Sequence, residues 1–147
     1  MTKVSIKTLL LISCLIFLSL QDDDLTFTCA EGKTKKVNPD KTPTPNGCGG
    51  SDTQRKIDKI INPYRETLTT CCNTHDICFN TCYTEGDIRA IFNKCNTDFK
   101  KCMYDRCKKK NALSEALCKA EALALYNAVK SYGDTYFKAN QKVACMC

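Results

Sequence analysis

The sequence predicts a small, mainly α-helical domain that is rich in disulfide bonds. Thirteen of its 147 residues are cysteine, a share typical of a disulfide scaffold in a short chain. In the second half of the chain, cysteines and apolar residues recur at helical spacing, and no segment has comparable support as a strand. Only four prolines and six glycines are present, which excludes a collagen-like or disordered chain.

The N-terminal segment has the pattern of a secretory signal peptide. Two lysines precede an apolar run from Thr8 to Leu20, and three aspartates follow at residues 22–24. A membrane anchor needs about 20 apolar residues, so this shorter run favours cleavage near residue 21. Removal of residues 1–21 also removes Cys14 and leaves an even number of cysteines, which can pair fully in an oxidising compartment. We therefore expect a secreted, extracellular protein.

The mature chain divides into an arm and a domain. Residues 22–46 hold three prolines and few apolar residues, and we expect an extended arm with one tether, Cys29. We expect residues 47–147 to form the folded domain. The spacing leaves the pairing of the cysteines open. The cysteines expected to form disulfides are Cys29, Cys48, Cys71, Cys72, Cys78, Cys82, Cys95, Cys102, Cys107, Cys118, Cys145 and Cys147.

Two long helices are predicted at the centre of the domain. Within the sequence TCCNTHDICFNTCY, the residues Cys71, His75, Cys78 and Cys82 share one face of a helix. A second helix carries a similar stripe around Phe99, with a cysteine on each side of it. Gly and Asp interrupt the pattern between the two stripes, so we expect antiparallel helices that are cross-linked by cystines.

A third helix is predicted at the C-terminal end, from Ala112 to Tyr132. Asn111 or Ser114 can cap its N-terminus, and alanine and leucine dominate its sequence. Gly133 is the predicted end of this helix, because glycine commonly follows the last helical residue. The domain is therefore expected to hold three helices.

His75 is the only histidine in the sequence, and its neighbour Asp76 lies about 100° further around the helix axis. The pair is a candidate for catalysis, although a hydrogen-bonded interior histidine would occupy the same position. A zinc site is a third interpretation, since Cys72, Cys78 and Cys82 have spacings from His75 that suit metal ligands. Thiols in an oxidising compartment are expected to form disulfides, which argues against zinc.

The second candidate feature is the glycine-rich loop PNGCGGS, residues 45–51. Glycines allow backbone conformations with positive φ, so such a loop can direct several carbonyl oxygens at one point. Together with a carboxylate, these oxygens suit a hard cation such as Ca²⁺. An ordinary glycine turn at the start of the domain is the alternative.

Together these motifs resemble secreted phospholipase A2. The sequence GCGG of residues 47–50, followed by CCNTHDIC of residues 71–78, is similar to the calcium loop and the CCxxHDxC helix of that family. The PNGCG loop, the HDxCxxTC element and the CxxxxxxCxxxxC spacing of residues 95–107 are most similar to its group XII branch. The resemblance covers about residues 45–147.

The resemblance implies a Ca²⁺-dependent enzyme that hydrolyses the sn-2 ester of glycerophospholipids. His75 would be the general base that removes a proton from the attacking water. The Asp76 carboxylate and the backbone carbonyls around Gly47, Gly49 and Ser51 would bind Ca²⁺. The backbone N–H of Gly49 would be a second donor to the oxyanion. The implied partner is a phospholipid membrane surface or micelle, with no nucleic acid, and the oligomeric state stays open.

Two departures from the family pattern keep a second interpretation open. Phe79 replaces the tyrosine that follows the HDxC cysteine, and Asn127 aligns with the aspartate that orients the imidazole. An amide oxygen accepts the ring N–H but offers no charge to an imidazolium. The alternative is therefore a weakly catalytic or non-catalytic module that binds lipid or a receptor.

A basic run at Arg106 and residues 108–110 offers a possible contact with an anionic membrane, since the chain contains no tryptophan to insert into lipid. A solvated charge run at the end of a helix explains the same residues. The sequence alone does not separate these two interpretations.

Overall fold

The computed structural model describes residues 25–49, 64–108 and 111–147. The predicted signal peptide lies outside these residues. The described chain is mainly helical, as predicted, and none of its helices combines the length and the apolarity needed to cross a membrane. Its elements are β1 (Lys36–Val37), α1 (Arg65–Asn80), α2 (Ile88–Cys107), α3 (Ala112–Ala144) and β2 (Cys145–Met146).

Helices α1 and α2 are antiparallel and cross-linked by two disulfides, as the sequence predicts. Cys71 near the middle of α1 pairs with Cys102, and Cys78 near its end pairs with Cys95. The later cysteine of α1 is thus joined to the earlier cysteine of α2, which requires the two helices to run in opposite directions. The two disulfides clamp the helix faces on either side of residue 75.

All twelve cysteines of the described chain form disulfides, so Cys72, Cys78 and Cys82 are not available as thiolate ligands of zinc. A disulfide in a small domain typically contributes about 2–4 kcal/mol, mainly by restricting the unfolded chain. The remaining four join the glycine loop to α1, α2 to α3, and the C-terminal residues to the rest of the chain. They are Cys48–Cys72, Cys107–Cys118, Cys82–Cys145 and Cys29–Cys147.

Helix α1 ends at Asn80, so Cys82 does not lie on its helical face, contrary to the sequence prediction. The cause is Gln141, a buried side chain of α3 that binds the backbone where α1 ends. Its amide nitrogen donates to the carbonyl of Thr81 at 2.8 Å, and its amide oxygen accepts from the N–H of Tyr83 at 3.1 Å. These bonds replace the helical hydrogen bonds and turn the chain toward α2.

Helix α3 continues through Gly133 to Ala144, so the prediction that Gly133 ends this helix is wrong. A β-carbon at Gly133 would lie 3.3 Å from the ring of Phe92 on α2, so the glycine allows close helix packing instead of ending the helix. The predicted start of the helix is correct. The side chain of Asn111 accepts a hydrogen bond from the N–H of Ser114 at 3.0 Å.

Residues 25–46, which belong to the predicted N-terminal arm, have more attachments to the helices than the disulfide of Cys29. Strands β1 and β2 pair in antiparallel register, although no strand is predicted from the sequence pattern. The N–H of Asn38 donates to the carbonyl of Ala144 at 2.9 Å, and Leu25 is buried against the aromatic core. Residues 25–46 therefore cover one end of the helical domain.

The aromatic core fixes the helices around the site. The rings of Phe79, Phe92 and Phe137 come one from each helix, with centroids 5.1 to 5.6 Å apart. Such tilted and edge-on contacts are the favourable arrangements for aromatic pairs. A second cluster around Leu68 and Met103 holds the other end of the α1–α2 pair.

Candidate active site

A cavity of about 790 Å³ opens between the glycine loop, α1 and α3. One wall is polar and holds four of the predicted site residues, His75, Asp76, Gly47 and Gly49. The opposite wall is formed by α3 and is largely apolar, with Leu125, Val129, Tyr132 and Tyr136. A cavity with a few convergent polar groups on one side and apolar side chains on the other suits an amphiphilic ligand.

The side chain of His75 lies on the buried face of α1, with 7% of its surface exposed. The rings of Phe79 and Phe99 flank the imidazole, with centroids 4.1 and 4.6 Å away. Its Nε2 atom lies 2.9 Å from Oδ1 of Asn96 on α2. The imidazole is therefore held by packing on its faces and by a hydrogen bond at one nitrogen.

This hydrogen bond determines which nitrogen of His75 can act as a base. The amide oxygen of Asn96 accepts, so Nε2 carries the ring proton and Nδ1 carries the lone pair. Burial lowers the pKa of His75 below its ordinary value of 6.5, while the bond to Asn96 and the charge of Asp76 act in the opposite direction. The neutral imidazole is thus the dominant form at neutral pH.

The lowered pKa also gives the folded protein a pH-dependent stability. Below about pH 6.5 the unfolded chain takes up a proton at His75 more readily than the folded chain does. This contribution to the free energy of unfolding is therefore present above pH 6.5 and is lost as the pH falls through the pKa of the folded state.

The partner of the imidazole is Asn96, and not Asn127, the residue that the resemblance to the family implies. Asn127 is an exposed residue of α3, while Asn96 is buried on α2. The two disulfides between α1 and α2 bring residue 96 opposite residue 75. The spacing of the cysteines does not predict this contact, because it leaves open which cysteines pair. A signal was present: Asn96 is a polar residue beside Cys95 and one turn before Phe99, on the face predicted to be buried.

The carboxylate of Asp76 is bonded directly to the glycine loop. Its Oδ2 atom accepts hydrogen bonds from the N–H groups of Asn46 and Gly47, at 2.9 and 3.0 Å. Gly47 and Gly49 adopt φ values of 80° and 113°, which other residues rarely adopt. The predicted metal ligands Asp76, Gly47 and Gly49 are thus brought together at one end of the cavity.

The donor types at this end of the cavity fit a hard dication. No group of three or more His, Cys, Asp or Glu side chains is assembled anywhere in the described residues. A cation here would be bound by the Asp76 carboxylate and backbone carbonyls, which is an all-oxygen set of the kind Ca²⁺ prefers. The fourth predicted ligand, Ser51, lies outside the described residues.

An ion pair in the cavity wall has no counterpart in the sequence predictions. Arg65, the first residue of α1, lies 2.8 Å from Glu121 on α3, measured from Nη2 to Oε1. The other terminal nitrogen of Arg65 lies 3.5 Å from the carbonyl oxygen of Cys48. Both charged side chains are only 15% exposed. No local pattern predicts this pair, because its members lie on different helices.

The fold and the site define a class: a disulfide-stabilised helical protein with a buried histidine and an aspartate-bound glycine loop at one cavity. Comparison with known proteins specifies it further. Residues 5–147 match the family described as group XII secretory phospholipase A2 precursor. The chain therefore belongs to the group XII secretory phospholipase A2 family, as the resemblance of its motifs indicated.

Three similar proteins carry names from this family. The chain is 29% identical over 128 residues to the group XIIB secretory phospholipase A2-like protein of Mus musculus, covering 82% of the chain and 63% of the relative. It is 28% and 27% identical over 133 residues to the group XIIA secretory phospholipases A2 of Mus musculus and Homo sapiens, covering 86% of the chain and 64% and 65% of these relatives.

The chain thus spans just under two thirds of the length of these three relatives. No solved structure gives a significant match.

Proposed function

We propose that this protein is a secreted, Ca²⁺-dependent phospholipase A2 that hydrolyses the sn-2 ester of glycerophospholipids. The observation that carries the proposal is the buried imidazole of His75, bonded through Nε2 to Asn96 at the wall of an amphiphilic cavity. The neighbouring carboxylate of Asp76 and the glycine loop stand beside it. The names of the related proteins support the same activity and a secreted location.

In this mechanism Nδ1 of His75 takes a proton from a water molecule, which attacks the ester carbonyl without an acyl-enzyme. Asn96 keeps the imidazole in the required tautomer and orientation. The N–H of Gly49 donates to the oxygen that becomes negatively charged. The imidazolium then returns its proton to the leaving alkoxide, which yields a lysophospholipid and a fatty acid. When bound, Ca²⁺ would polarise the ester carbonyl and hold the lipid phosphate.

The second candidate function is a lipid-binding module with little turnover. Asn96 is uncharged, so the imidazolium that forms during proton transfer receives only an amide dipole as its partner. Phe79 has no hydroxyl to extend the hydrogen-bond network. One relative is itself named a phospholipase A2-like protein. These features lead us to expect a slow enzyme.

The proposed partner is the surface of a phospholipid membrane or micelle. Tyr132 and Tyr136 lie on successive turns of α3 in the cavity wall, and each is 66% exposed. Tyrosine side chains combine an apolar ring with a polar hydroxyl, which suits the boundary between lipid and water. Of the basic run, Lys108 forms an ion pair with Asp105, and residues 109 and 110 lie outside the described residues.

Fatty-acid release from phospholipid vesicles tests the proposal. We expect release in the presence of Ca²⁺, none after chelation, and less from a dispersed short-chain lipid than from vesicles. Undiminished release with the chelator would contradict the role of Ca²⁺. Vesicle binding without any release would favour the second candidate function.

Two substitutions of Asn96 are expected to change kcat in opposite directions. Asn96→Ala removes the acceptor of the imidazole N–H, and kcat should fall about 10- to 100-fold, as is typical when a group that orients an active-site residue is lost. Asn96→Asp places a carboxylate at the same position, which stabilises the imidazolium and should raise kcat.

The pH profile distinguishes this positioning role from a general loss of stability. In Asn96→Asp the acidic limb of the kcat profile should move to higher pH, because a carboxylate raises the pKa of His75. Asn127→Ala is the control and should leave kcat unchanged. A larger effect of Asn127→Ala than of Asn96→Ala would contradict the assignment of Asn96.

A further inference from the structure

The glycine loop is fixed to α1 by three contacts up to Cys48. The N–H groups of Asn46 and Gly47 donate to Asp76, and the sulfur of Cys48 is bonded to that of Cys72. None of these three contacts includes the next peptide unit, which joins Cys48 to Gly49. Glycine allows this unit more orientations than any other residue would, so its direction needs a further restraint.

Arg65 supplies a contact to that peptide unit. Its Nη1 atom lies 3.5 Å from the carbonyl oxygen of Cys48, and its Nη2 atom lies 2.8 Å from Glu121. The contact to the carbonyl is long for a hydrogen bond, but a full charge attracts a carbonyl dipole at this distance when water is largely excluded. The guanidinium is planar, so its ion pair with Glu121 also restrains the direction of Nη1.

The direction of the Cys48 carbonyl fixes where the N–H of Gly49 points, because both belong to one planar peptide unit. The described residues contain no cis peptide bond, and the carbonyl and N–H of a trans peptide unit point in opposite directions. Because Arg65 attracts the carbonyl oxygen of Cys48, the N–H of Gly49 is directed away from Arg65. That N–H is the group which, in the proposed function, donates to the oxyanion.

We propose that Arg65 is a positioning residue that sets the direction of the Gly49 N–H, and that Glu121 holds Arg65 in place for this purpose. The proposal rests on the proposed phospholipase activity. It adds to that activity a role for α3, the helix that forms the apolar wall of the cavity. Through Glu121 and Arg65, this helix would help to orient the oxyanion donor on the opposite wall. The helix end itself does not favour a cation at Arg65, since the N-terminus of a helix carries partial positive charge.

Arg65→Gln tests the proposal through kinetics. An oxyanion donor acts mainly in the transition state, so kcat should fall about 10- to 100-fold while KM and the affinity for Ca²⁺ stay near their wild-type values. Arg89→Gln is the matched control. It removes an arginine that pairs with Asp134 at 3.3 Å outside the cavity wall, and it should leave kcat unchanged.

The orientation of the Gly49 N–H can be measured directly by residual dipolar couplings in ¹⁵N-labelled protein. The coupling should change in Arg65→Gln and in Glu121→Ala, and their effects on kcat should not add in the double variant, because both act on one contact. An unchanged Gly49 coupling in Arg65→Gln would overturn the proposal. The proposal would also be overturned if Arg65→Gln lowered the melting temperature but left kcat unchanged. The pair of Arg65 and Glu121 would then serve stability alone.

The same measurements separate this proposal from the proposed function. If the wild-type protein hydrolyses no phospholipid, the proposed function fails, and the Gly49 coupling still decides whether Arg65 orients the loop. If hydrolysis is normal and both kcat and the coupling of Arg65→Gln match the wild type, the role of Arg65 fails alone.

Discussion

His75→Gln is expected to abolish nearly all phospholipid hydrolysis while leaving the fold intact. The chain contains no other histidine, so no second imidazole can replace the base. Loss of a general base typically lowers a rate about 10²- to 10⁴-fold. Glutamine keeps a polar group that can bond to Asn96, whereas alanine would leave a gap between the rings of Phe79 and Phe99. Fatty-acid release at saturating substrate measures the loss.

Two measurements show whether the effect of His75→Gln is chemical. The affinity for Ca²⁺ and the number of disulfides should equal those of the wild-type protein, because neither depends on the imidazole. Turnover at the wild-type level in this variant would refute the assignment of His75 as the base. The protein would then have to activate water through another group.

Asp76→Asn is expected to weaken Ca²⁺ binding and hydrolysis together. The aspartate is the one carboxylate among the proposed ligands, and Ca²⁺ affinity depends strongly on the charge of the ligand set. We expect the affinity to fall about tenfold or more, which corresponds to about 1.4 kcal/mol. The side-chain oxygen of asparagine can still accept from the N–H of Asn46 or Gly47, so part of the loop structure should persist.

Calorimetric titration with Ca²⁺ checks this result, and Asp98→Asn provides a matched control. Asp98 is an exposed aspartate of α2 that pairs with Lys94, so its loss should not change the affinity. Equal affinities in Asp76→Asn and the wild type would place the metal site elsewhere. Weaker Ca²⁺ binding with unchanged hydrolysis would argue that the reaction does not need the metal.

A large part of the fold could be predicted from the sequence because its signals are local. The spacing of cysteines along α1 and α2 predicted two helices with facing stripes, and the composition predicted a disulfide-rich helical domain. The motif around His75 and Asp76 indicated the family before any contact was known. Prediction failed where a distant residue decides the local structure, as when Gln141 ends α1 and Phe92 packs against Gly133 inside α3.

What the sequence by itself determined is the set of chemical groups: one imidazole, its adjacent carboxylate, the glycine loop and the twelve cysteines that follow residue 21. The tertiary structure alone decided which groups act on each other. It paired His75 with Asn96 instead of Asn127, and it joined Arg65 to Glu121. Hydrogen bonds and ion pairs require atoms to lie within a few ångströms, and residues distant in the chain reach this distance only when the disulfides and the core fix how the helices cross.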